Sequence, residues 1–334
     1  MDKPSISVII PTYNSGRFLA YCLESIKNQD YPKNKVEIII ADGGSSDKTI
    51  EIAKRYTKNI YKNRLKTGEA GKSVGAKKAK NEILAFIDSD NILEDGSWLQ
   101  RMVEPFQDKK VVGTEPLYYS YRKQDSYINR YCALMGMNDP ICFFYKNYDR
   151  YNHITKKWTG LNVKQQDKGN YILIEFDKKN IPTIGANGFL IKRKEFNQVM
   201  KGDYSFDIDI VYNLVNLKKS FFAKVKVGII HLFCEDLGTF IRKQRRRIND
   251  YFYYQKKEMR SYSWKNNFGL FRFVISTLLI FPLLYQAFKG FLREPDSAWF
   301  FHPVACWITL FVYSTGYVKG KFNKLNIERK NWKQ

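Results

Sequence analysis

The sequence predicts an α/β fold in which a mostly parallel central sheet is flanked by helices. Short apolar, β-rich segments recur along the first third of the chain, at residues 5–10, 36–41, 59–63 and 83–88. Segments with helical periodicity separate them, at residues 16–29, 47–56 and 71–80. Strands and helices that alternate at this spacing are typical of βαβ units, whose strands lie parallel. With 334 residues, 44% of them hydrophobic, the chain can form the large core that such a sheet needs.

Polar, tightly turned residues follow three of the predicted strands. They are Pro11, Thr12, Tyr13 and Asn14 after the first, Asp42-Gly43-Gly44-Ser45 after the second, and Asp88-Ser89-Asp90 after the fourth. In parallel α/β sheets, ligands bind outside the carboxyl ends of the strands. We therefore expect these three clusters to meet at one edge of the sheet and to form a binding site.

The acids Asp88 and Asp90 stand two residues apart, and residues with this spacing point to the same face of a strand. Two neighbouring carboxylates suit Mg²⁺ or Mn²⁺, which commonly joins carboxylates to substrate phosphates. A helix cap with a polar turn is the alternative interpretation of the same residues.

The charge balance points to a polyanionic partner, because 56 Lys and Arg face 33 Asp and Glu and give a net charge of +23. Nucleic acid, an anionic membrane surface and phosphorylated ligands all satisfy this condition. The five cysteines are scattered and form no CxxC pair, which argues against a zinc site or a disulfide framework. The first residues, MDKPSISVIIPTYN, are not expected to act as a signal peptide.

The last hundred residues have a different composition. Residues 236–266 combine the basic run RKQRRR with a stripe of apolar residues, which predicts an amphipathic helix at a membrane interface. Residues 273–288 and 297–318 carry no charge, so 267–334 is expected to form a transmembrane hairpin with a basic tail. Buried core helices are the alternative. Basic residues on both flanks place the N-terminal part in the cytoplasm, and a membrane surface explains the charge better than nucleic acid does.

The segments SVIIPTYNSGRFLAYCLESIKNQ, IIIADGGSSDKT and AFIDSDN together resemble the family 2 glycosyltransferases, which are inverting enzymes of the GT-A fold. The resemblance resumes at GANGFLIKRKEF, at FDIDIVYNL and around RKQRRRI. It implies a GT-A nucleotide-diphospho-sugar transferase domain over residues 1–235.

The resemblance also implies roles for individual residues. Those implied to bind the nucleotide are Pro11, Thr12, Tyr13, Asn14, Asp42, Gly44, Lys72, Asp88 and Ser89. Those implied to line the sugar and acceptor pocket are Gly185, Ala186, Asn187 and Gly188, and Gln244 and Arg247 are expected to bind substrate. The metal ligands would be Asp90, Asp88 and His231, and the general base would be Asp207, with Asp209 as the other candidate.

Three positions depart from the family pattern. The usual Asp-Asp-Gly-Ser turn reads Asp42-Gly43-Gly44-Ser45, and the usual Glu-Asp pair reads Phe206-Asp207. The Gln-x-x-Arg-Trp motif of processive members ends here in Ile248 instead of tryptophan. The last difference weakens an assignment to polymer synthesis.

The expected function is therefore metal-dependent, inverting transfer of a sugar from a nucleotide-sugar, preferentially a UDP-sugar, to a lipid-linked saccharide hydroxyl at the cytoplasmic membrane face. The metal would be Mg²⁺ or Mn²⁺. An alternative is a transferase that charges a polyprenyl phosphate carrier itself. An alternative of another class is a non-catalytic membrane protein that binds a nucleotide or glycan.

Overall fold

The computed structural model describes residues 3–262 and 267–322, without the side chain of Phe322. The predicted basic tail beyond residue 322 and the last residues of the predicted 236–266 segment lie outside these ranges. Contacts divide the described residues into two compact units. The sheet unit contains residues 3–120 and 162–231, and the helical unit contains residues 121–161, 232–262 and 267–322. The functional boundary predicted at residue 235 stays a prediction.

The sheet unit is built on one ten-stranded sheet, as far as the chain is described. Its strands are β1 (Ile6–Thr12), β2 (Val36–Asp42), β3 (Ile60–Lys62), β4 (Ile83–Phe86), β5 (Asn91–Leu93), β6 (Gly113–Ser120), β7 (Lys164–Asp167), β8 (Tyr171–Glu175), β9 (Phe189–Lys192) and β10 (Phe221–His231). The order across the sheet is β3-β2-β1-β4-β9-β6-β10-β8-β7, and β5 pairs with β10.

The sheet is mixed, so the prediction of a mostly parallel sheet is correct only for its first part. Strands β1 to β4 pair in parallel, as do β6 and β10. Strand β9 lies antiparallel between β4 and β6, and β8 and β5 lie antiparallel to β10. Local periodicity predicts that a segment is a strand but does not indicate whether it pairs in parallel or antiparallel with its neighbours. This explains why the sheet is mixed although a mostly parallel one was expected.

Helices cover this sheet. They are α1 (Leu19–Lys27), α2 (Thr49–Lys54), α3 (Gly68–Lys78), α4 (Trp98–Val103), α7 (Arg193–Val199) and α8 (Asp207–Asn216). Helix α3 lies so close to β1 that a Cβ atom at Gly75 would come within 2.3 Å of Ile9. Glycines on α3 therefore permit the close helix–sheet contact that places Lys72 beside the strand ends.

The helical unit contains α5 (Tyr127–Met135), α6 (Ile141–Tyr145), α9 (Leu237–Lys256), α10 (Asn267–Leu279), α11 (Phe281–Arg293) and α12 (His302–Phe322). Aromatic side chains form much of its core, including Tyr131, Phe240, Trp299 and Phe301. A second cluster joins Phe144, Phe273, Leu283 and Cys306.

Helix α9 carries the basic run and the apolar stripe predicted for a membrane interface. Two residues of this stripe are covered by α12, because Ile248 contacts Gly316 and Phe252 contacts Gly320 and Tyr317. Cβ atoms at these glycines would come within 2.6 Å and 2.7 Å of the two side chains. This part of the stripe is an internal helix–helix contact, and the role of residues 236–266 at a membrane interface stays a prediction.

The uncharged run 273–288 is not a continuous helix. Helix α10 ends at Leu279, Ile280 adopts a left-handed backbone with φ 61°, and α11 begins at Phe281 with a proline in its first turn. Proline lacks an N–H and its ring clashes with the carbonyl four residues earlier, so Pro282 is incompatible with continuation of α10.

Among the described residues, no single helix has both the length and the apolar composition needed to cross a bilayer. Helices α10 and α11 meet these requirements only when taken together across a 93° bend. The prediction of two transmembrane helices is therefore not confirmed.

Candidate active site

The carboxyl ends of β1 and β2 lie side by side, as the sequence predicts. Thr12, the last residue of β1, is in register with Asp42, the last residue of β2. Strand β4 pairs in parallel with β1 on its other side. The three polar clusters that follow these strands consequently start at one edge of the sheet.

The carboxylate of Asp42 organises the turn that follows β2. One oxygen accepts hydrogen bonds from the hydroxyls of Thr12, at 2.9 Å, and Ser45, at 2.6 Å. The other accepts the backbone N–H groups of Gly44 and Ser45, at 2.8 and 2.9 Å. A carboxylate offers about four acceptor positions, so these bonds occupy them all. A nucleobase that is to bind Asp42 must therefore displace one of these donors, and the hydroxyl of Ser45 can rotate away.

The loop after β1 is fixed to the same turn. The Asn14 backbone N–H donates to the Ser45 hydroxyl at 2.8 Å, and the Asn14 side-chain oxygen accepts the Ser46 backbone N–H at 2.9 Å. A Cβ atom at Gly43 would come within 3.1 Å of the Tyr13 ring. The glycine at the position of the family's second aspartate thus leaves room for Tyr13 to pack against the turn. Pro11 and Tyr13 remain half-buried at this edge.

Asp88 and Asp90 lie in a turn beyond β4 and not on the strand, so the strand-based argument that their carboxylates point the same way does not apply to them. The strand ends at Phe86. Asn91 then closes the turn: its backbone N–H donates to the Asp88 carbonyl at 2.9 Å, and its side-chain oxygen accepts the Asp88 N–H at 3.0 Å. Ser89 donates its hydroxyl to Ser15 at 2.9 Å. Side chains two residues apart point to the same face only where the backbone is extended, and the backbone of a turn is not extended.

Asp90 is directed to His231, the last residue of β10. Its carboxylate lies 3.5 Å from the His231 Nε2, and both side chains are largely buried. The ring of Tyr119 lies against the imidazole with centroids 5.7 Å apart. The antiparallel pairing of β10 with β5, which sets His231 opposite Asn91, brings these distant parts of the sequence together.

This pair fits a divalent cation whose remaining ligands come from a substrate. No cluster of three or more His, Cys, Asp or Glu side chains suited to a metal occurs in the described ranges. A carboxylate oxygen and an imidazole nitrogen are both donors that Mn²⁺ accepts, and Mg²⁺ typically binds one or two carboxylates plus phosphate oxygens. Asp90 and His231 are therefore the residues that would hold the ion.

A second charged pair joins α3 to α8. The Lys72 ammonium lies 2.6 Å from an oxygen of Asp207, and the two side chains are 6% and 28% exposed. Burial lowers the pKa of Lys72, but the charges of Asp207 and Asp88 outweigh it and hold this pKa above its usual range. Lys72 therefore carries a positive charge at every physiological pH.

Asp207 has the properties of a base that works near neutral pH. Burial raises the pKa of its carboxyl to about 7; the Lys72 ammonium opposes this shift, and the carboxylates of Asp88 and Glu69 add to it. General bases are most effective when their pKa lies close to the working pH. Asp209, the other candidate, is buried in the first turn of α8.

The loop from Gly185 to Gly188 lies against Asp207. A Cβ atom at Gly185, whose φ is 111°, would come within 2.8 Å of the Asp207 Cβ. The Asn187 amide donates to the Tyr119 hydroxyl at 3.0 Å and accepts from the Asn91 amide at 3.1 Å. The Gly188 N–H donates to the Phe86 carbonyl at 3.0 Å. Ala186 is half-buried between them.

A buried ion pair supports this loop and was not identified from the sequence. Glu115 on β6 faces Lys224 on β10, both fully buried, and Glu115 also accepts the Gly185 N–H at 2.9 Å. Asn91, which links the 88–91 turn to Asn187, was missed as well. The sequence contains one signal for the ion pair: an acid and a base stand at inward positions of two apolar strands. A buried charge without a partner is energetically costly, so the two residues are expected to pair.

Gln244 and Arg247 belong to the helical unit. Both donate to the backbone carbonyl of Asn138, at 3.3 and 2.8 Å, and the Gln244 side-chain oxygen accepts from Tyr313 and Arg247. Their predicted substrate contacts stay a prediction, since these bonds give both residues a role in connecting α9 to its neighbours.

Comparison with known proteins identifies relatives for parts of the chain. The poly(ribitol-phosphate) β-N-acetylglucosaminyltransferase TarS of Staphylococcus aureus is 36% identical over 93 residues, which are 26% of this chain and 16% of TarS. The dolichyl N-acetyl-α-D-glucosaminyl phosphate 3-β-D-2,3-diacetamido-2,3-dideoxy-β-D-glucuronosyltransferase of Methanococcus voltae is 45% identical over 73 residues, 21% of this chain and 23% of that enzyme. The chain thus spans less than a quarter of the length of each of these relatives.

A solved structure shares the architecture over nearly the whole chain. The mannosyltransferase PcManGT from Pyrobaculum calidifontis, in complex with GDP-Man and Mn²⁺, superposes with a TM-score of 0.53 at 13% identity, covering 97% of this chain and 89% of PcManGT. At this identity the likeness shows the fold alone. The sequence model of glycosyl transferase family 2 matches residues 7–199, more than half of the chain. The chain therefore belongs to glycosyl transferase family 2 and has the GT-A fold.

Proposed function

We propose that this enzyme uses Mg²⁺ or Mn²⁺ and transfers a sugar, with inversion, from a UDP-sugar to a hydroxyl of a lipid-linked saccharide at the cytoplasmic face of a membrane. The observation that carries the proposal is the meeting of two charged pairs at one sheet edge. Asp90 and His231 suit a divalent metal ion. Lys72 supplies a positively charged ammonium group, and Asp207 supplies a base. Asp88 stands in the same turn as Asp90 and acts electrostatically on the second pair.

The donor's diphosphate needs positive charge, since negative charge grows on it as the sugar–phosphate bond breaks. Lys72 provides a permanent charge beside Asp88 and Asp207. The loops at Pro11–Asn14 and Asp42–Ser45 would hold the nucleoside, in agreement with their position at the carboxyl ends of β1 and β2. A divalent ion on Asp90 and His231 would add Lewis-acid stabilisation of the leaving diphosphate.

The acceptor hydroxyl must lose a proton as it attacks. Asp207, whose pKa is about 7, is suited to take this proton, and the loop Gly185–Gly188 beside it would position the sugar and the acceptor. One displacement from the side opposite the leaving group inverts the anomeric centre. The name of the Methanococcus voltae relative describes transfer to a sugar linked to dolichyl phosphate, a lipid, which supports the same acceptor class here.

A membrane location agrees with the net charge of +23 and with the apolar surface of α10 and α11. The proposed acceptor, a saccharide on a lipid carrier, would lie at the same surface. Nucleic acid is not part of the proposal.

The test is a donor screen with purified protein, UDP-, GDP- and dTDP-sugars, and lipid extract, with products identified by mass spectrometry. We expect a glycolipid product with a UDP-sugar and Mn²⁺ or Mg²⁺, and none with EDTA. Undiminished transfer with EDTA would remove the metal from the proposal.

The acceptor class is tested with the Asp207→Asn variant. For a hydroxyl acceptor we expect its rate to fall about 10²- to 10⁴-fold, because general-base assistance is lost. A polyprenyl phosphate is already an anion and needs no base. A rate within a few-fold of the unsubstituted enzyme, with a singly glycosylated lipid phosphate as product, would therefore establish the carrier-charging alternative.

A further inference from the structure

The outer surface of α10 and α11 is apolar and solvent-exposed. The inner faces of both helices pack into the helical unit, where Phe273 and Leu283 are buried. The outer faces expose large apolar side chains, and within the described ranges no other element covers them. These exposed residues are Phe268, Leu270, Phe271, Ile275, Leu278, Leu279, Ile280, Phe281, Leu284, Tyr285 and Phe288. Contiguous apolar surfaces of this kind mark interaction sites on folded proteins.

The most exposed part of this surface lies at the bend. Phe281 is 81% exposed and follows Ile280, a β-branched residue in a left-handed conformation that such residues rarely adopt. Pro282 and the strained Ile280 set the 93° angle between the helices. The bend is therefore part of the native backbone, and it projects leucine and phenylalanine side chains into solvent.

Cations flank this uncharged apex on both sides. Arg272 precedes it on α10, and Lys289 and Arg293 follow it on α11. The Arg272 guanidinium and the Lys289 ammonium lie 5.9 and 5.8 Å from the rings of Phe268 and Tyr285, respectively, so their stems lie along apolar surface. Long basic side chains in this arrangement can reach lipid headgroups while the apolar residues beside them stay in hydrocarbon.

Each of the two uncharged arms is short enough to lie within one leaflet. From 273 to 279 and from 281 to 288 they measure roughly 10 and 12 Å at 1.5 Å per residue. The hydrocarbon core is roughly 30 Å thick, so one leaflet contributes roughly 15 Å. Neither arm reaches across the core, and at 93° their lengths do not add up to a crossing.

We infer that α10 and α11 form a re-entrant hairpin that inserts its apex into one leaflet of an anionic bilayer and returns to the same side. The occupant of this surface is the acyl region of the leaflet, with anionic headgroups on Arg272 and Lys289, whereas the Arg293 guanidinium donates to the backbone carbonyls of His153 and Ile154. The inference rests on the proposed membrane location. In it, α10 and α11 anchor the protein in one leaflet and do not cross the bilayer. The membrane-facing part of the protein would then be this hairpin, while the stripe residues of α9 described above are covered by α12.

Insertion is tested by flotation with vesicles of phosphatidylcholine alone and of phosphatidylcholine and phosphatidylglycerol in equal parts. Phe281→Asp places a charge at the apex and should lower the partition coefficient at least about tenfold. Leu292→Asp is the matched control, because Leu292 is 80% exposed on the same helix but lies beyond Lys289. We expect it to change binding less than about threefold. Equal losses in both variants, or no preference for anionic vesicles, would overturn the inference.

The side of the membrane is tested by labelling with an impermeant maleimide in sealed vesicles that carry the full chain. Ser297→Cys reports the segment after α11, and Lys168→Cys reports the sheet unit; both positions are exposed. A re-entrant hairpin gives labelling of both variants from the same side, above the background of the native cysteines. Labelling from opposite sides would show that the pair crosses the bilayer.

Two further measurements distinguish membrane anchoring from a catalytic role of the hairpin and from dimerisation through it. Donor turnover by Phe281→Asp in detergent should equal that of the unsubstituted protein, because the hairpin contains none of the proposed catalytic residues. Loss of turnover there with an unchanged thermal midpoint would contradict a purely anchoring role. A stable dimer in solution that dissociates in Phe281→Asp, without vesicle binding by either protein, would assign the surface to a second copy instead.

Discussion

Removing the charge of Lys72 should move the pH dependence of transfer to higher pH. The Lys72 ammonium lowers the pKa of Asp207, which burial holds at about 7. Below that pKa the carboxyl is protonated and cannot act as a base, so kcat/KM should fall as pH drops below about 7. In Lys72→Met the ammonium is absent, the carboxyl binds its proton more tightly, and the fall should begin at higher pH.

The size of the change follows from the distance between the two groups. At 2.6 Å, two unit charges attract by about 1.6 kcal/mol even at the dielectric constant of water. This energy corresponds to a pKa difference of about 1.2. Because Lys72 is only 6% exposed, solvent screens the pair less than bulk water would, and this figure is a lower bound. We therefore expect the midpoint of the acid limb to rise by at least about one pH unit.

The assay is kcat/KM for transfer to the identified acceptor between pH 5 and pH 9.5. Lys77→Met is the matched control, since Lys77 lies on the same helix and pairs with Asp203 at 2.8 Å on the exposed surface. It should leave the midpoint unchanged, and Asp207→Asn should abolish the limb. An acid limb that stays at the same pH in Lys72→Met, or persists in Asp207→Asn, would refute Asp207 as the base.

Three further predictions concern the metal pair, the turn after β2 and the buried ion pair. His231→Gln should raise the Mn²⁺ concentration for half-maximal activity by about tenfold or more, and Asp90→Asn should abolish metal stimulation; unchanged metal titrations would remove the pair from the metal site. Asp42→Asn replaces an acceptor by an amide that cannot satisfy all four donors, and should lower the free energy of unfolding by about 1–3 kcal/mol in urea; an unchanged midpoint would show that the turn does not depend on this carboxylate. Glu115→Gln leaves Lys224 as an uncompensated buried charge and should cost about 3–5 kcal/mol, whereas the double variant Glu115→Leu with Lys224→Met should recover most of it. A double variant as unstable as the single one would contradict this explanation.

The first third of the fold was predictable because its segments carry strong local patterns. Strands β1, β2 and β4 begin within one residue of the apolar runs that predict them, and β1 and β2 end in the predicted polar loops. The direction of β9 and the hairpin of β7 and β8 were not predictable in the same way. Pairing direction depends on distant partners, and β7 is polar and exposed throughout.

The candidate site shows the same limit. Thr12 and Asp42 lie at the ends of β1 and β2 as predicted, since a strand followed by a polar loop is a local signal. The backbone around Asp88 and Asp90 depends on Asn91, which closes a turn where an extended strand was expected. The pairing of Lys72 with Asp207 joins residues 135 positions apart and has no local signal at all.

The loop from Gly185 to Gly188 has a thermodynamic consequence for ligand binding. Three of its four residues already occupy left-handed backbone conformations, and buried partners hold Gly185, Asn187 and Gly188. Such a loop has little conformational freedom left to lose, so a saccharide that docks on it meets a rigid surface and retains more of its contact energy as affinity. Selectivity among sugars would then reflect the fixed shape of this surface, and a calorimetric series of related sugars should show differences chiefly in enthalpy.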